Sequence, residues 1–226
     1  MGKAKIIRVF DMDGTTTNTK GANYITTCHA HAFFNKERPL YETFCKTYDQ
    51  RNGFRNHILG LGIPEDMISE YGKKWCEIYI RMIRENPPPM IPGARAQLEK
   101  LKEAGDHIIL LTKASPEYVD IQMKLEWAKK VFNSIAFVEP SESKAERLSG
   151  IMKRLGEKVI YFGDTVSDGE ECKASGAVFG AMMHSYSYNE KDMLESFIKN
   201  DYRNSTAVRS VFQFDSSAAR FFNGRR

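Results

Sequence analysis

Short, nearly continuous apolar runs recur along this chain, and between them the apolar positions spread out to helical spacing. The runs cover residues 6–10, 107–111, 134–138, 158–162 and 177–182. Each is the pattern of a strand covered on both faces. Residues 94–104 place Leu98 and Leu101 on one face and stop at Gly105, a residue suited to a helix C-cap. Residues 116–130, 144–155 (closed by Gly156) and 168–175 (closed by Gly176) read as three further helices. Strands alternating with helices predict an α/β fold, a parallel sheet with helices on both faces.

One segment breaks the rhythm. From about Thr17 to Asn86 there is no buried-strand run, and the apolar residues keep helical spacing: Tyr41, Phe44, Cys45 and Tyr48, then Ile68, Tyr71, Trp75, Ile78, Tyr79 and Met82. Pro64-Glu65-Asp66 opens the last of these helices, and Pro87-Pro88-Pro89 cannot continue it. The pattern predicts a helical insertion between the first and second core strands, joined by connections near 16–20 and 86–92.

Composition narrows the function only by exclusion. A net charge of +4 spread over 226 residues gives no basis for a nucleic-acid partner. No run of about eighteen apolar residues suggests a membrane span, and no leader pattern precedes the first strand. Cys28, Cys45, Cys76 and Cys172 form no Cys-x-x-Cys or zinc spacing and read as reduced thiols packed as small apolar groups. The expectation is a cytoplasmic protein, monomer or homodimer. The tail from Tyr202, with Arg220, Arg225 and Arg226, is left unassigned.

The chemistry sits at the ends of the strand runs. Asp11 and Asp13 follow the first run and precede Gly14, whose lack of a side chain permits a sharp turn. An ionised aspartate can attack phosphorus, and a second one beside it can manage the leaving-group proton. Thr112 closes the second run, where its hydroxyl can donate to a phosphate oxygen or serve the turn before Ser115-Pro116. Lys144 opens a helix after the third run, as a phosphate-neutralising ammonium or a plain surface lysine. Asp164 and Asp168 follow the fourth run and Gly163, as hard oxygen ligands for Mg²⁺ or with Asp168 capping the next helix.

These pieces, Asp-Met-Asp-Gly-Thr, Leu-Leu-Thr, Lys144 and Gly-Asp-Thr-Val-Ser-Asp, stand in an order that resembles the haloacid dehalogenase superfamily, and within it phosphatases similar to phosphoglycolate phosphatases. Ile91-Pro92-Gly93-Ala94 is similar to the family's re-entry from cap to core. The resemblance implies a Rossmann-like core with a five-stranded parallel sheet, built from residues 1–16 and 88–226, and a mobile helical cap, residues 17–87. It implies Asp11 as nucleophile and Asp13 as general acid and base. Thr112, Lys144 and the backbone N–H of Met12 would bind the phosphoryl group. Mg²⁺ would be held by Asp11, the Asp13 carbonyl and Asp164, with Asp168 in support. The implied activity is hydrolysis of a small phosphorylated metabolite. A phosphotransferase or sugar-phosphate mutase would use the same residues with a different acceptor. A non-catalytic scaffold fits poorly with four intact motifs, and a dehalogenase fits poorly with the second aspartate. Two positions depart from the family pattern: Thr16-Thr17 after Asp-Gly-Thr, and Gly169 after Asp168. In the insertion, Asn23, Tyr24, Thr27, His31, Arg51, Arg55, His57 and Lys74 are candidate substrate contacts.

Overall fold

The structure, a computed structural model, describes residues 6–48, 53–139, 141–155, 159–183 and 205–208. All five predicted strands are present: β1 (Ile7–Phe10), β2 (His107–Thr112), β3 (Ser134–Phe137), β4 (Val159–Gly163) and β5 (Val178–Met182). A sixth, β6 (Ser205–Val208), comes from the unassigned tail and extends the sheet beyond β5. Among the described residues these strands all pair in parallel, in the order β3-β2-β1-β4-β5-β6, and the register sets Phe10 of β1 beside Leu110 and Phe162.

Every residue of β1 and β4 is buried, as a central strand of a two-faced sheet requires. Alternate residues feed two cores. Phe10, Ile108, Leu110, Ile160 and Phe162 join one, covered by α5 (Ala94–Glu103), α6 (Pro116–Met123) and α7 (Leu125–Val131). Ile7, Val9, Ile109, Leu111 and Tyr161 join the other, covered by α8 (Lys144–Leu155) and α9 (Val166–Ser175). The buried thiol of Cys172 packs in this second core, whereas Cys76 is exposed.

Two expectations need correction. The helix expected over 116–130 is two helices, because Lys124 adopts a left-handed φ of 56°. Asp120 sustains the break: its carbonyl accepts the Lys124 N–H, and its carboxylate accepts the Leu125 N–H at 2.8 Å. The helix expected from Asp168 begins earlier, with Thr165 as its N-cap, so Asp168 is three residues inside the cap and not the cap itself.

The predicted helical segment comprises α1 (Lys20–Phe33), α2 (Tyr41–Thr47), α3 (Gly53–Gly60), a 3₁₀ turn (Glu65–Met67) and α4 (Ile68–Glu85). Ala30, Ile58, Ile63, Tyr71 and Ile78 give it a core of its own. Its two connections run side by side, with Asn18 N–H donating to Pro89 O at 2.9 Å and Ile91 N–H to Thr16 O at 3.0 Å. The Thr16 and Thr17 hydroxyls each donate to the Met12 carbonyl at 3.0 Å, which accounts for two threonines where the family pattern has an apolar residue. Among the described residues, no helix is long and apolar enough to cross a membrane.

Phe162 stacks on Phe10 with ring centroids 4.8 Å apart, and it does so over a glycine. A Cβ on Gly180 would lie 2.5 Å from the Phe162 ring. Gly180→Ala is therefore expected to destabilise the fold by about 1–3 kcal/mol through overpacking. Urea denaturation should show a lower midpoint with an unchanged slope; an unchanged midpoint would show that the ring moves aside freely.

Candidate active site

The chain reverses direction across the sheet between β1 and β4, the place where an open parallel sheet leaves a crevice beyond its strand ends. Asp11 follows β1, its N–H donating to Phe162 O at 2.9 Å, so it enters the crevice beside β4. Asp164 follows β4, Thr112 ends β2, and Lys144 is the first residue of α8 after β3. Four segments distant in sequence thus converge. Glu171 of α9 accepts the Ala145 N–H at 2.8 Å, which fixes the start of α8 and hence the origin of the lysine side chain.

Two glycines make the convergence sterically feasible. Gly14 has φ +69°, and a Cβ there would lie 2.1 Å from an Asp164 carboxylate oxygen. A Cβ on Gly163 would lie 2.6 Å from the Asp168 side chain. Each glycine therefore does more than permit a turn; it vacates the space that a carboxylate occupies.

Lys144, which composition alone would place on the surface, is 4% exposed. Its Nζ lies 3.0 Å from Asp11 Oδ1 and 2.8 Å from Asp168 Oδ1, and it donates to the Tyr161 hydroxyl at 2.8 Å. Tyr161 in turn donates to Asp168 Oδ1 at 2.6 Å. The other Asp168 oxygen closes a capping box, accepting from the Thr165 hydroxyl at 2.6 Å and the Thr165 N–H at 3.1 Å. Asp168 is thereby held on all sides. Burial alone would favour its neutral form, but Lys144, Thr165 and Tyr161 outweigh burial and lower its pKa. Burial likewise opposes the Lys144 ammonium, and Asp11 and Asp168 reverse that effect, so the lysine stays charged.

Asp11 is less well compensated. Burial, only partly offset by Lys144 and reinforced by the charges of Asp168 and Asp13, pushes it up to about 7. Asp13 is pushed up to about 6, chiefly by burial, against hydrogen bonding by Thr19 and Gln122 and the charge of Lys144. Carboxylate oxygens of Asp11, Asp164 and Asp168 all lie within 4.8 Å of one another. Lys144 pairs with two of these three carboxylates, and so close a set of hard oxygen donors suits a divalent cation.

A cavity of about 290 Å³ opens over this floor. Asp11, Asp13, Thr112, Lys113, Ala114, Tyr118 and Lys144 line it from the sheet side; Tyr48, Gly53, Phe54 and His57 line it from the helical segment. Thr112 Oγ1 accepts the Ala114 N–H at 3.0 Å, so its turn role is real, and the bond uses a lone pair while sparing the hydroxyl proton. Met12 has its side chain in the core and its carbonyl tied to the 15–17 turn.

Of the candidate contacts in the insertion, only His57 lines the cavity among the described residues. Arg51 lies outside the described residues. Tyr24 bonds to Pro39 O, His31 pairs with Tyr71, Arg55 with Glu65 and Lys74 with Glu77. Asn23 donates to the Tyr48 hydroxyl and Thr27 to the Asn23 carbonyl. The sequence reading missed Tyr161, Thr165, Tyr48 and Tyr118. A tyrosine inside an otherwise apolar strand run was the available signal for Tyr161.

The family model for haloacid dehalogenase-like hydrolases matches residues 8–182. No curated protein matches the chain by sequence. Similar solved structures include a haloacid dehalogenase-like family hydrolase from Streptococcus pneumoniae (18% identity, TM-score 0.77, covering 95% of this chain and 99% of that one). Another is a predicted phosphoglycolate phosphatase from Haemophilus somnus (16%, TM-score 0.67, 84% and 89%). A third is a CbbY mutant from Rhodobacter sphaeroides in complex with xylulose-(1,5)bisphosphate (15%, TM-score 0.64, 83% and 90%). At these identities the likeness is one of fold.

Lys144→Met would leave Asp11 and Asp168 buried without their shared cation, and is expected to cost the metal-free protein about 3–5 kcal/mol at pH 7. Urea titration checks this, and a loss under about 1 kcal/mol would mean that the lysine is not the balancing charge. A second expectation concerns His57, which burial holds at about 4 against an ordinary 6.5. Between those values the unfolded chain binds the proton first, so the histidine's contribution is full above 6.5 and is lost as the pH falls to about 4. The stability difference between the natural protein and His57→Gln should shrink by up to about 3 kcal/mol over that interval; a flat difference would contradict it.

Proposed function

The chain belongs to the haloacid dehalogenase-like hydrolases, and from that premise we propose that it is a Mg²⁺-dependent phosphomonoester hydrolase working through an aspartyl-phosphate. The reading has Asp11 as nucleophile: a carboxylate oxygen bonds to phosphorus as the ester P–O bond breaks. Asp13 gives its proton to the departing oxygen, and its pKa of about 6 leaves it able to hold one near neutrality. Asp13 then takes a proton from water, whose oxygen displaces Asp11 from phosphorus and releases inorganic phosphate.

One observation carries this reading. Asp11 meets Lys144 at 3.0 Å, lies within 4.8 Å of the other two carboxylates, and opens with Asp13 and Thr112 into one cavity. Asp11, Asp164 and the Asp13 carbonyl would hold Mg²⁺, with Asp168 in support. When bound, the ion supplies the positive charge that Lys144 alone cannot provide to the phosphate oxygens and the Asp11 carboxylate. The Thr112 hydroxyl and the Met12 N–H complete the phosphate cradle; phosphoryl transfer asks mainly for such positioning and charge balance.

On this reading residues 17–87 form a cap domain inserted into a core of 1–16 and 88–226, and they shield the site from water. The substrate is a small phosphorylated metabolite, in keeping with the cavity's size and with the bisphosphate held by the CbbY mutant. Four cysteines without a disulfide suit a reducing cytoplasm.

Phosphate release from a panel of phosphorylated metabolites with Mg²⁺ tests the proposal and separates hydrolysis from transfer to a second substrate. Asp11→Asn should abolish turnover, and Asp13→Asn should lower it by about 10²–10⁴-fold. Full turnover by Asp11→Asn would refute the covalent route.

A further inference from the structure

Helix α6 buries an amide where packing asks only for an apolar residue. Its buried side chains are Val119, Gln122 and Met123, and Val119 and Met123 join the core that α6 covers. Gln122 is 6% exposed. An amide removed from water is costly unless its hydrogen-bonding groups are used, so its partners indicate its role.

Two partners are at hand, both on the side of the candidate active site. Gln122 Nε2 donates to the Tyr79 hydroxyl of α4 at 3.4 Å. That hydroxyl is also hydrogen-bonded to Tyr118, which lies one turn before Gln122 on the same face of α6, stacks on Tyr79 and lines the cavity together with Asp13. The second partner is the Asp13 carboxyl group, which receives a side-chain hydrogen bond from Gln122. An ionised carboxylate only accepts, so the amino group is the end of the amide that serves both. Its two protons divide between a phenol fixed in the aromatic stack and a carboxyl group on the cavity floor. The amide carbonyl, by contrast, is buried with no hydrogen-bond partner among the described residues. A side chain kept in spite of that penalty is kept for its donors.

A carboxyl group turns readily about its last single bond, and a proton donor acts only when its oxygen is aimed at the departing atom. An N–H held from one side restricts that rotation. We propose that Gln122 is a positioning residue for Asp13: anchored to the Tyr79 hydroxyl, its amide sets the orientation in which the Asp13 carboxyl group meets the departing oxygen. The inference rests on the hydrolase reading above for the role of Asp13. The ester P–O bond breaks with its electron pair going to the departing oxygen, and the Asp13 proton follows. Gln122 does not line the cavity and exchanges no proton.

The test compares phenyl phosphate with 4-nitrophenyl phosphate, whose nitrophenolate departs without needing a proton. Hydrolysis is followed with Mg²⁺ in the full-length protein, and kcat/KM reports the step that breaks the ester bond. The ratio of the two values, phenyl over 4-nitrophenyl, isolates the contribution of the acid. That ratio should fall about tenfold in Gln122→Met, which keeps the side chain's size, and about threefold in Tyr79→Phe, which removes only the anchoring hydroxyl. Asp13→Asn should lower it more, and adding Gln122→Met to Asp13→Asn should lower it no further, because the amide acts through Asp13. A residue that merely ties α6 to α4 would slow both esters alike, and that result would overturn the proposal. In ¹⁵N-labelled protein the two side-chain amide protons of Gln122 should respond separately, one to Asp13→Asn and the other to Tyr79→Phe. A pair unmoved by Asp13→Asn would also overturn it, and this measurement needs neither turnover nor a folded Gln122→Met. The two readings fail separately. A ratio that falls in Asp13→Asn and not in Gln122→Met defeats the positioning role alone; turnover of both esters with a ratio unmoved by Asp13→Asn defeats the acid role in the hydrolase reading, while the amide spectrum still decides the contact.

Discussion

A single buried ammonium shared by two buried carboxylates governs how this molecule is built. Removing Lys144, Asp11 and Asp168 from water costs far more than any one contact returns, so the cluster is tolerable only with near-complete hydrogen bonding. The surrounding structure provides it. Tyr161 bridges the lysine and Asp168 from within β4, Thr165 closes the far side of Asp168, and Glu171 fixes the start of α8. Gly14 and Gly163 vacate the volume that the carboxylates fill. The compensation is uneven by design of the geometry: Asp168 is saturated and kept ionised, while Asp11 keeps a raised pKa and an open side toward the cavity. A saturated carboxylate orients; an unsaturated one is available to react.

The relation between the helical segment and the sheet is settled by aromatic packing more than by charge. Tyr79 of α4 stacks on Tyr118 of α6 with centroids 5.0 Å apart, and Trp75 continues the stack at 4.9 Å. Gln122 donates to the Tyr79 hydroxyl at 3.4 Å and also bonds toward Asp13, linking this contact to the floor of the cavity. An ion pair across the contact, Arg84 with Glu117, is well exposed and contributes little. The cavity therefore has a charged floor and, among the described residues, an aromatic wall on the side of the helical segment, with His57 as the neutral polar feature set into it.

Both threonines at the start of the insertion and the break at Lys124 show how local departures serve this arrangement. Thr16 and Thr17 use their hydroxyls to bind the Met12 carbonyl, tightening the turn that carries Asp13. The left-handed residue at 124 lets α6 end and α7 set off anew, so that both cover the same core while α6 keeps Tyr118 and Gln122 toward the site.

What the sequence by itself determined is whatever depends on near neighbours along the chain. Continuous apolar runs marked β1 to β5, because a strand buried on both faces has no polar side to alternate with. Asp11, Asp13, Thr112 and Asp164 were legible because a strand's C-terminal end is a place defined by order along the chain. Helical spacing marked the insertion for the same reason. Lys144 was legible only through family order: nothing within ten residues distinguishes a lysine that will be buried between two carboxylates from one in solvent. Tertiary structure alone decided the roles of Tyr161 and Thr165, the partner of Nδ1 in His57, the break at Lys124 and the pairing of β6 with β5. Each depends on atoms brought together from distant segments or on a backbone angle that competing local signals do not specify, and burial and charge balance are properties of that assembled neighbourhood, which no stretch of sequence carries alone.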